Sequence, residues 1–227
     1  MNDTWVLIPA NNEGRSIGAV ISGCRAYCRN ILVVDDGSND STGRIAAAAG
    51  AQVVRHDSNK GKGAALRTGF RMLLDRGCRV VITLDADGQH DPREIPRFLS
   101  SYERIAAEEK REVIVIGSRI RGKERIPLYR AVPHRIGEFF ISLAARRHIP
   151  DTQSGYRLYT RGILEAIECS AKRFDMEAEI LIKASRKGVR IEQIPIEAIY
   201  RENYTTHFRP VVDFYRISIM VLKNLFK

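Results

Sequence analysis

Cysteine is scarce in this chain and badly spaced for metal: of four, Cys24 and Cys28 stand four apart, while Cys78 and Cys169 are isolated. That arrangement suggests neither a disulfide framework nor a zinc site, and the expectation is of reduced, buried thiols in a cytoplasmic protein. Long apolar runs are missing too. None approaches the ~18 residues a spanning helix requires, and Met1 to Trp5 lead directly into a short strand-like run, so no secretory signal is visible. The familiar glycine-rich phosphate loops are absent as well. Gly61-Lys62-Gly63 continues to Leu66 where a dinucleotide fingerprint needs a third glycine, and no Gly-Lys-Ser/Thr ends the loop. No internal repeat, low-complexity tract or long linker divides the chain.

What is present fits one α/β domain. The 227 residues are 44% apolar and 28% charged, enough to bury a core and too apolar for a disordered basic tail. Short apolar runs at Trp5–Ile8, Ile31–Val34, Gln52–Arg55, Arg79–Leu84 and Val113–Gly117 read as strands, each followed by a polar or glycine-containing loop. Ile17, Val20, Ile21, Cys24 and Cys28 recur at helical spacing, which turns the cysteines toward the sheet. Gly61–Arg76 and Pro92 to about Lys110 read as helices, the second with Asp91 as N-cap and Pro92 at its first position. Further on, Gly155–Tyr159 and Val189–Ala198 read as strands, and Arg161–Glu168 and Asp175–Lys187 as helices. The βαβ rhythm implies a mostly parallel central sheet flanked by helices.

Charge is unevenly spread. Basic residues outnumber acidic ones 37 to 27, and eight of them lie between Arg119 and Arg147 against only Glu124 and Glu138, a local +6. An excess of this kind suits an anionic partner. Nucleic acid is not expected, because no helix-turn-helix, zinc or RNA-recognition signature appears and clustered aspartates would repel its phosphates.

In a parallel sheet, ligands collect beyond the carboxyl ends of the strands. There the sequence sets Pro9-Ala10-Asn11-Asn12-Glu13, Asp35-Asp36-Gly37-Ser38 and Asp85-Ala86-Asp87-Gly88-Gln89-His90. Five carboxylates in such loops would repel one another without a cation or hydrogen-bonding ligand. Asp85 and Asp87, with Gln89, offer hard oxygen atoms suited to Mg²⁺ or Mn²⁺ on phosphate oxygens. Lys60 and Lys62, at the start of a helix, could favour an anion, although that loop also reads as a solvated one. Asp151, Glu177 and Glu179 are base candidates for a hydroxyl acceptor. Their alternative roles are a structural hydrogen bond for Asp151 and solvated helix charge for the glutamates. The five histidines show no metal spacing.

These strings, together with Asn59 to Gly69, Gly117-Ser118-Arg119 and Ser154-Gly155-Tyr156-Arg157, resemble family 2 glycosyltransferases of the GT-A fold, close to the dolichyl- and polyprenyl-phosphate sugar synthases. The resemblance covers residues 5 to about 208. It implies a catalytic domain over 1–208 that moves a sugar, with inversion, from a UDP- or GDP-sugar to a lipid phosphate. Pro9, Asn11, Glu13, Val34 and Asp36, with Lys62 and Ala86, would then receive the donor nucleotide. Asp85, Asp87 and Gln89 would hold the metal, Arg201 would meet the diphosphate, and Arg119, Arg130 and Arg135 the acceptor phosphate. Asp151 is retained as a catalytic candidate, since transfer to a glycan hydroxyl stays open. One departure stands out: where the family often carries Arg-x-x-Gly-x-Ser-Lys, Arg201 leads to Tyr204, Thr206 and His207.

The last segment, 209–227, reads as an amphipathic helix. Arg209, Asp213, Arg216, Lys223 and Lys227 form one polar stripe, and apolar residues fill the rest of its circumference. A membrane-surface helix, peripheral at the cytoplasmic face, is expected, with packing against the domain or a second copy as the alternative. A chain ending at Phe208 is therefore expected to bind nucleotide sugar but to lose sedimentation with anionic liposomes. An unfolded truncation, or a full chain that never sediments at low salt, would assign the helix to packing.

Overall fold

The structure is a computed structural model that describes residues 3–109, 111–119, 128–167, 175–197 and 199, with backbone alone at 128–136 and 175. Arg201, His207, Cys169 and the 209–227 segment lie outside the described residues, as do the side chains of Arg130 and Arg135.

In chain order come β1 (Thr4–Ala10), α1 (Ile17–Arg25), β2 (Ile31–Asp35), α2 (Thr42–Ala48), β3 (Gln52–Arg55), α3 (Lys62–Asp75) and β4 (Val80–Thr83). A 3₁₀ turn at Pro92–Glu94 leads into α4 (Ile95–Glu109), followed by β5 (Val113–Arg119), α5 (Leu128–Ala145), β6 (Arg157–Thr160), α6 (Arg161–Ala166), α7 (Asp175–Arg186) and β7 (Arg190–Ile196). The sheet order is β3-β2-β1-β4-β6-β5-β7. Every neighbouring pair is parallel except those made by β6, which runs antiparallel to β4 and β5.

Both sheet faces are covered, which explains why β1, β2 and β4 read as continuous apolar runs rather than alternating ones. Trp5 and Leu7 of β1 pack with Leu66, Phe70 and Leu73 of α3 on one face. Val6 and Ile8 meet Ile17 and Ile21 of α1, and Phe98 of α4, on the other. Cys24, Cys28 and Cys78 are buried free thiols. Burial, with Cys28 beside it, pushes the Cys24 thiol up to about 12, which leaves it inert.

β1 and β5 run two residues beyond their apolar cores because their neighbours extend the ladder: Ala10 is in register with Asp35 and Arg119 with Ile196. Pairing between β1 and β4 stops at Leu7 and Thr83. Val6 donates its N–H toward β2, to Asn30 O; by alternation, Pro9 turns its missing donor to the side that β4 has left, where no ladder bond is forgone. The two strands part there because their connections leave in opposite directions, which opens a crevice at the switch point.

Two helices escaped the sequence pattern. α2 is seven residues long and alanine-rich, with no side-chain cap, so it offers no apolar period. α5 lies inside the basic stretch, whose charge masks its buried stripe of Gly137, Ile141, Ala144 and Ala145. At Asp91 the expected cap is present, its carboxylate accepting from Arg93 N at 2.9 Å.

Gly37 turns the chain at the end of β2 with φ +69°, and a Cβ there would stand 2.5 Å from the carbonyl carbon of Ser58. Left-handed strain and backbone overlap both oppose a side chain. Gly37→Ala is expected to destabilise the fold by about 2 kcal/mol, a fall of roughly 6 °C in the melting temperature. A thermal melt shifted by less than a degree would contradict this.

Candidate functional site

The carboxyl ends of β1, β2 and β4 meet at the crevice, and the loop entering β6 closes over it. β6 enters the sheet from the end at which β5 leaves it. This is why it is antiparallel, and why Arg157, its first residue, is in register with Thr83 and Ile116.

At the β1–β2 end the loops are stitched together by side chains. Asn11 Nδ2 donates to Asp36 O at 2.8 Å, Asn12 N to Ser38 Oγ at 2.9 Å, and Glu13 N to Thr42 Oγ1 at 2.8 Å. Asn12 adopts φ +58°, a left-handed conformation that asparagine tolerates. Pro9, Val34 and Ala86 are buried, and Val34 belongs to the core beneath α3. Their side chains are therefore enclosed within the fold.

Asp35 and Asp36 both accept hydrogen bonds from backbone N–H groups of the protein itself. Asp36 accepts from Lys60 N at 2.9 Å and Gly61 N at 2.7 Å, and His56 Nδ1 lies 2.6 Å from it. His56 Nε2 in turn reaches Thr68 Oγ1 at 2.9 Å. Asp36 thereby ties β2 to the start of α3, and the protein's own carboxylate takes two of the amides expected to favour an anion. Asp35 accepts from Ser38 N at 2.9 Å.

Lys62 corrects the picture of a solvated loop. Its Nζ lies 2.6 Å from Asp85 Oδ1 and 3.1 Å from Glu177 Oε2, largely out of solvent. Burial opposes its charge, but the two carboxylates outweigh it and raise the ammonium above its ordinary range. Gly155 lies flat on this pair: a Cβ would come within 2.6 Å of both Asp85 Oδ2 and Lys62 Nζ. For Asp85, burial acts to raise the carboxyl, but Lys62 prevails and holds it down at about 2. His90 is neutral, lowered to about 4 chiefly by burial. Its Nδ1 accepts from Asp85 N at 3.2 Å, which leaves the proton on Nε2.

Asp87 moves the other way. Burial first, then Asp85 and Glu13, push it up to about 6. Gln89 donates to it from both backbone and side chain, at 2.9 and 3.0 Å. Lys62 balances Asp85 and leaves a negative surplus at Asp87, which fits a divalent cation shared by Asp85, Asp87 and Gln89. Among the described residues no three His, Cys, Asp or Glu side chains could hold a metal by themselves. Further ligands would have to come from bound phosphate, as Mg²⁺ sites commonly arrange.

The 151–154 turn is gripped by two arginines from strand ends. Arg119, the last residue of β5, donates to the Asp151 carboxylate from its backbone N at 2.8 Å, Nε at 2.9 Å and Nη2 at 2.6 Å. Arg157, fully buried at the start of β6, donates to Ser154 O at 2.7 Å, Thr152 O at 2.6 Å and Glu177 O at 2.7 Å. Asp151 N donates to Glu138 Oε1 of α5 at 2.9 Å. Of the two roles open to Asp151, the geometry favours the structural one.

Glu177 and Glu179 are buried, not solvated. Glu179 pairs with Lys183 at 2.7 Å, while Glu177 Oε1 is enclosed with no hydrogen-bond partner among the described residues. The cue in the sequence was the apolar company of Met176, Ala178, Ile180, Leu181 and Ile182, which makes a helix buried all round. The partnership of Glu177 with Lys62 left no local trace, nor did the clamp made by Arg157.

The family model for glycosyl transferase family 2 matches residues 5–168. A UDP-N-acetylglucosamine–dolichyl-phosphate N-acetylglucosaminyltransferase of Methanococcus voltae is 30% identical over 87% of this chain and 86% of its own. A polyprenol monophosphomannose synthase of Mycolicibacterium smegmatis is 32% identical over 88% and 78%. Among solved structures, glucosyl-3-phosphoglycerate synthase from Mycobacterium tuberculosis, in complex with Mn²⁺, UDP-glucose and phosphoglyceric acid, superposes with a TM-score of 0.73. That match covers 98% of this chain and 78% of the other at 21% identity, a likeness of fold.

Removing the cation between Asp85 and Glu177 leaves two buried carboxylates facing each other. In chelator, Lys62→Met is expected to lose about 3 kcal/mol of stability to urea, and Lys62→Met with Glu177→Gln to regain part of it. Additive losses in the double variant would show that the three residues do not act together.

Proposed function

The chain belongs to glycosyl transferase family 2, and from that footing we propose that it carries a sugar from a UDP- or GDP-sugar to a polyprenyl- or dolichyl-type phosphate, inverting the anomeric carbon. The Arg119–Asp151 pair carries this reading. The carboxylate otherwise available as a base receives three N–H donors from Arg119, so it serves as counter-charge rather than proton acceptor. A phosphate monoester needs no base, since its second pKa is ~6 and it is largely ionised at neutral pH. The lipid phosphates in the relatives' names support the same acceptor class.

The donor would enter the crevice between β1 and β4, its nucleotide against Asn11, Glu13 and the turn held by Asp36. An oxygen of the acceptor phosphate attacks C1 of the sugar. The C1–O bond to the diphosphate breaks, its electron pair leaves with the diphosphate, and entry from the opposite face inverts the centre. Mg²⁺ or Mn²⁺ held by Asp85, Asp87 and Gln89 would supply positive charge to the leaving group. Lys62 keeps Asp85 ionised and aligned, and Arg201 would add a guanidinium to the diphosphate. Arg119, with Arg130 and Arg135, would receive the acceptor phosphate in the bidentate manner available to arginine. Buried free thiols suit a reducing compartment, so the cytoplasmic face of a membrane is the proposed location.

One observation favours a second reading. Glu177 Oε1 is enclosed beside the Lys62–Asp85 pair without a hydrogen-bond partner among the described residues, where it could deprotonate a hydroxyl acceptor.

Asp87→Asn is expected to cut turnover about 100-fold or more and to abolish the metal-dependent thermal shift with nucleotide sugar, with the melt in chelator retained. Wild-type turnover with metal binding intact would overturn the metal assignment. Arg119→Lys, which keeps charge and loses the fork, is expected to slow transfer to a phosphate acceptor about tenfold without weakening donor binding. Unchanged acceptor kinetics in Arg119→Lys, with Glu177→Gln inactive, would select the hydroxyl reading.

A further inference from the structure

We propose that the outer face of α5 docks on an anionic lipid bilayer, with Phe139, Phe140 and Leu143 entering the interface between headgroups and acyl chains. Four large apolar side chains are exposed among the described residues, and three of them are these, at 63%, 36% and 51% exposure. The fourth, Tyr27, belongs to another part of the fold. At 100° per residue the three fall within a sector of roughly 100°. The opposite face of the helix, carrying Gly137, Ile141, Ala144 and Ala145, is buried. There Arg186 Nε and Ser185 Oγ of α7 donate to the carbonyls of Ala144 and Ala145. α5 is therefore apolar on two sides and covered on one.

The charge around the patch selects its occupant. Arg146, Arg147 and His148 follow at the end of the helix, all exposed, and Arg130 and Arg135 belong to the sequence of the helix itself. Aromatic and aliphatic side chains flanked by arginine on one helical face match a surface with anionic headgroups over hydrocarbon. Among the described residues no helix is long and apolar enough to cross a membrane, so contact by this helix would lie in the plane of the surface.

This inference rests on the lipid-phosphate reading and deepens it. Glu138, next to Phe139, accepts from Asp151 N, and Asp151 receives Arg119. Docking would thus bring the acceptor arginine to headgroup level through a short, hydrogen-bonded chain of contacts, where a lipid phosphate presents itself without leaving the bilayer. A single surface helix binds weakly, and two such elements are the usual requirement for stable attachment. The expected surface role of 209–227 is compatible with that arithmetic.

The test uses the full chain and the double variant Phe139→Ser/Leu143→Ser, sedimented at low salt with phosphatidylglycerol–phosphatidylcholine vesicles and with pure phosphatidylcholine. Wild type is expected to partition onto the anionic vesicles, and the variant at least about tenfold less, with its melt and its thermal shift with nucleotide sugar unchanged. Equal sedimentation of the two proteins, or none by wild type, would overturn docking by α5. A wild-type dimer converted to monomer by the variant would instead assign the patch to contact between copies. Transfer to a short-chain, water-soluble prenyl phosphate separates the two claims. Patch-dependent vesicle binding without such transfer supports docking and removes the acceptor reading.

Discussion

Lys62 is the cation on which the site is assembled. It joins three elements through charge: α3, which carries it, the turn after β4 through Asp85, and α7 through Glu177. Without it the two carboxylates would be buried without compensation, a more costly state than either pair or vacancy. Its presence also distinguishes the two aspartates of the Asp85-Ala86-Asp87 turn. One is held ionised at about 2, the other rises to about 6, so the negative charge still seeking a partner is concentrated at Asp87.

Around that centre, polar groups are used in pairs that fix backbone. Asp36 sets the start of α3, His90 sets the amide of Asp85, Arg119 and Arg157 set the 151–154 turn, and Gly155 leaves the space that the Lys62–Asp85 pair requires. Several residues that look like ligand groups in sequence therefore also hold the scaffold together. The site gains rigidity from this, since each loop beyond a strand end is held by a side chain from a different element.

The sheet was legible because burial on both faces writes strands as plain apolar runs, and the strand-end strings located the crevice without knowledge of register. α1 was legible through its buried period at Ile17, Val20, Ile21 and Cys24. The rest was hidden for physical reasons. α5 mixes a buried stripe with surface arginines, so its charge obscured its period. Strand direction is not encoded locally, and β6 differs from its neighbours only because the chain returns from the ligand end. Contacts over large sequence separations, Lys62 with Glu177 or Arg157 with the Thr152 carbonyl, follow from topology and have no spacing to read.

The reversed direction of β6 has a consequence for how the molecule is made. β1 to β4 lie together in the sheet and come from the chain up to Thr83, so they can pair as soon as they are synthesised. β4 then presents an open edge until Arg157–Thr160 arrives about 75 residues later. Until that strand is inserted, β5 has no ladder pairing with the first four strands, and an unpaired edge is available to other chains. Gly155 and Arg157 arrive with the strand that closes the sheet, and Glu177 of α7 completes the polar cluster only after them. Ribosomal pauses, chaperone occupancy and aggregation during synthesis should all concentrate in that interval.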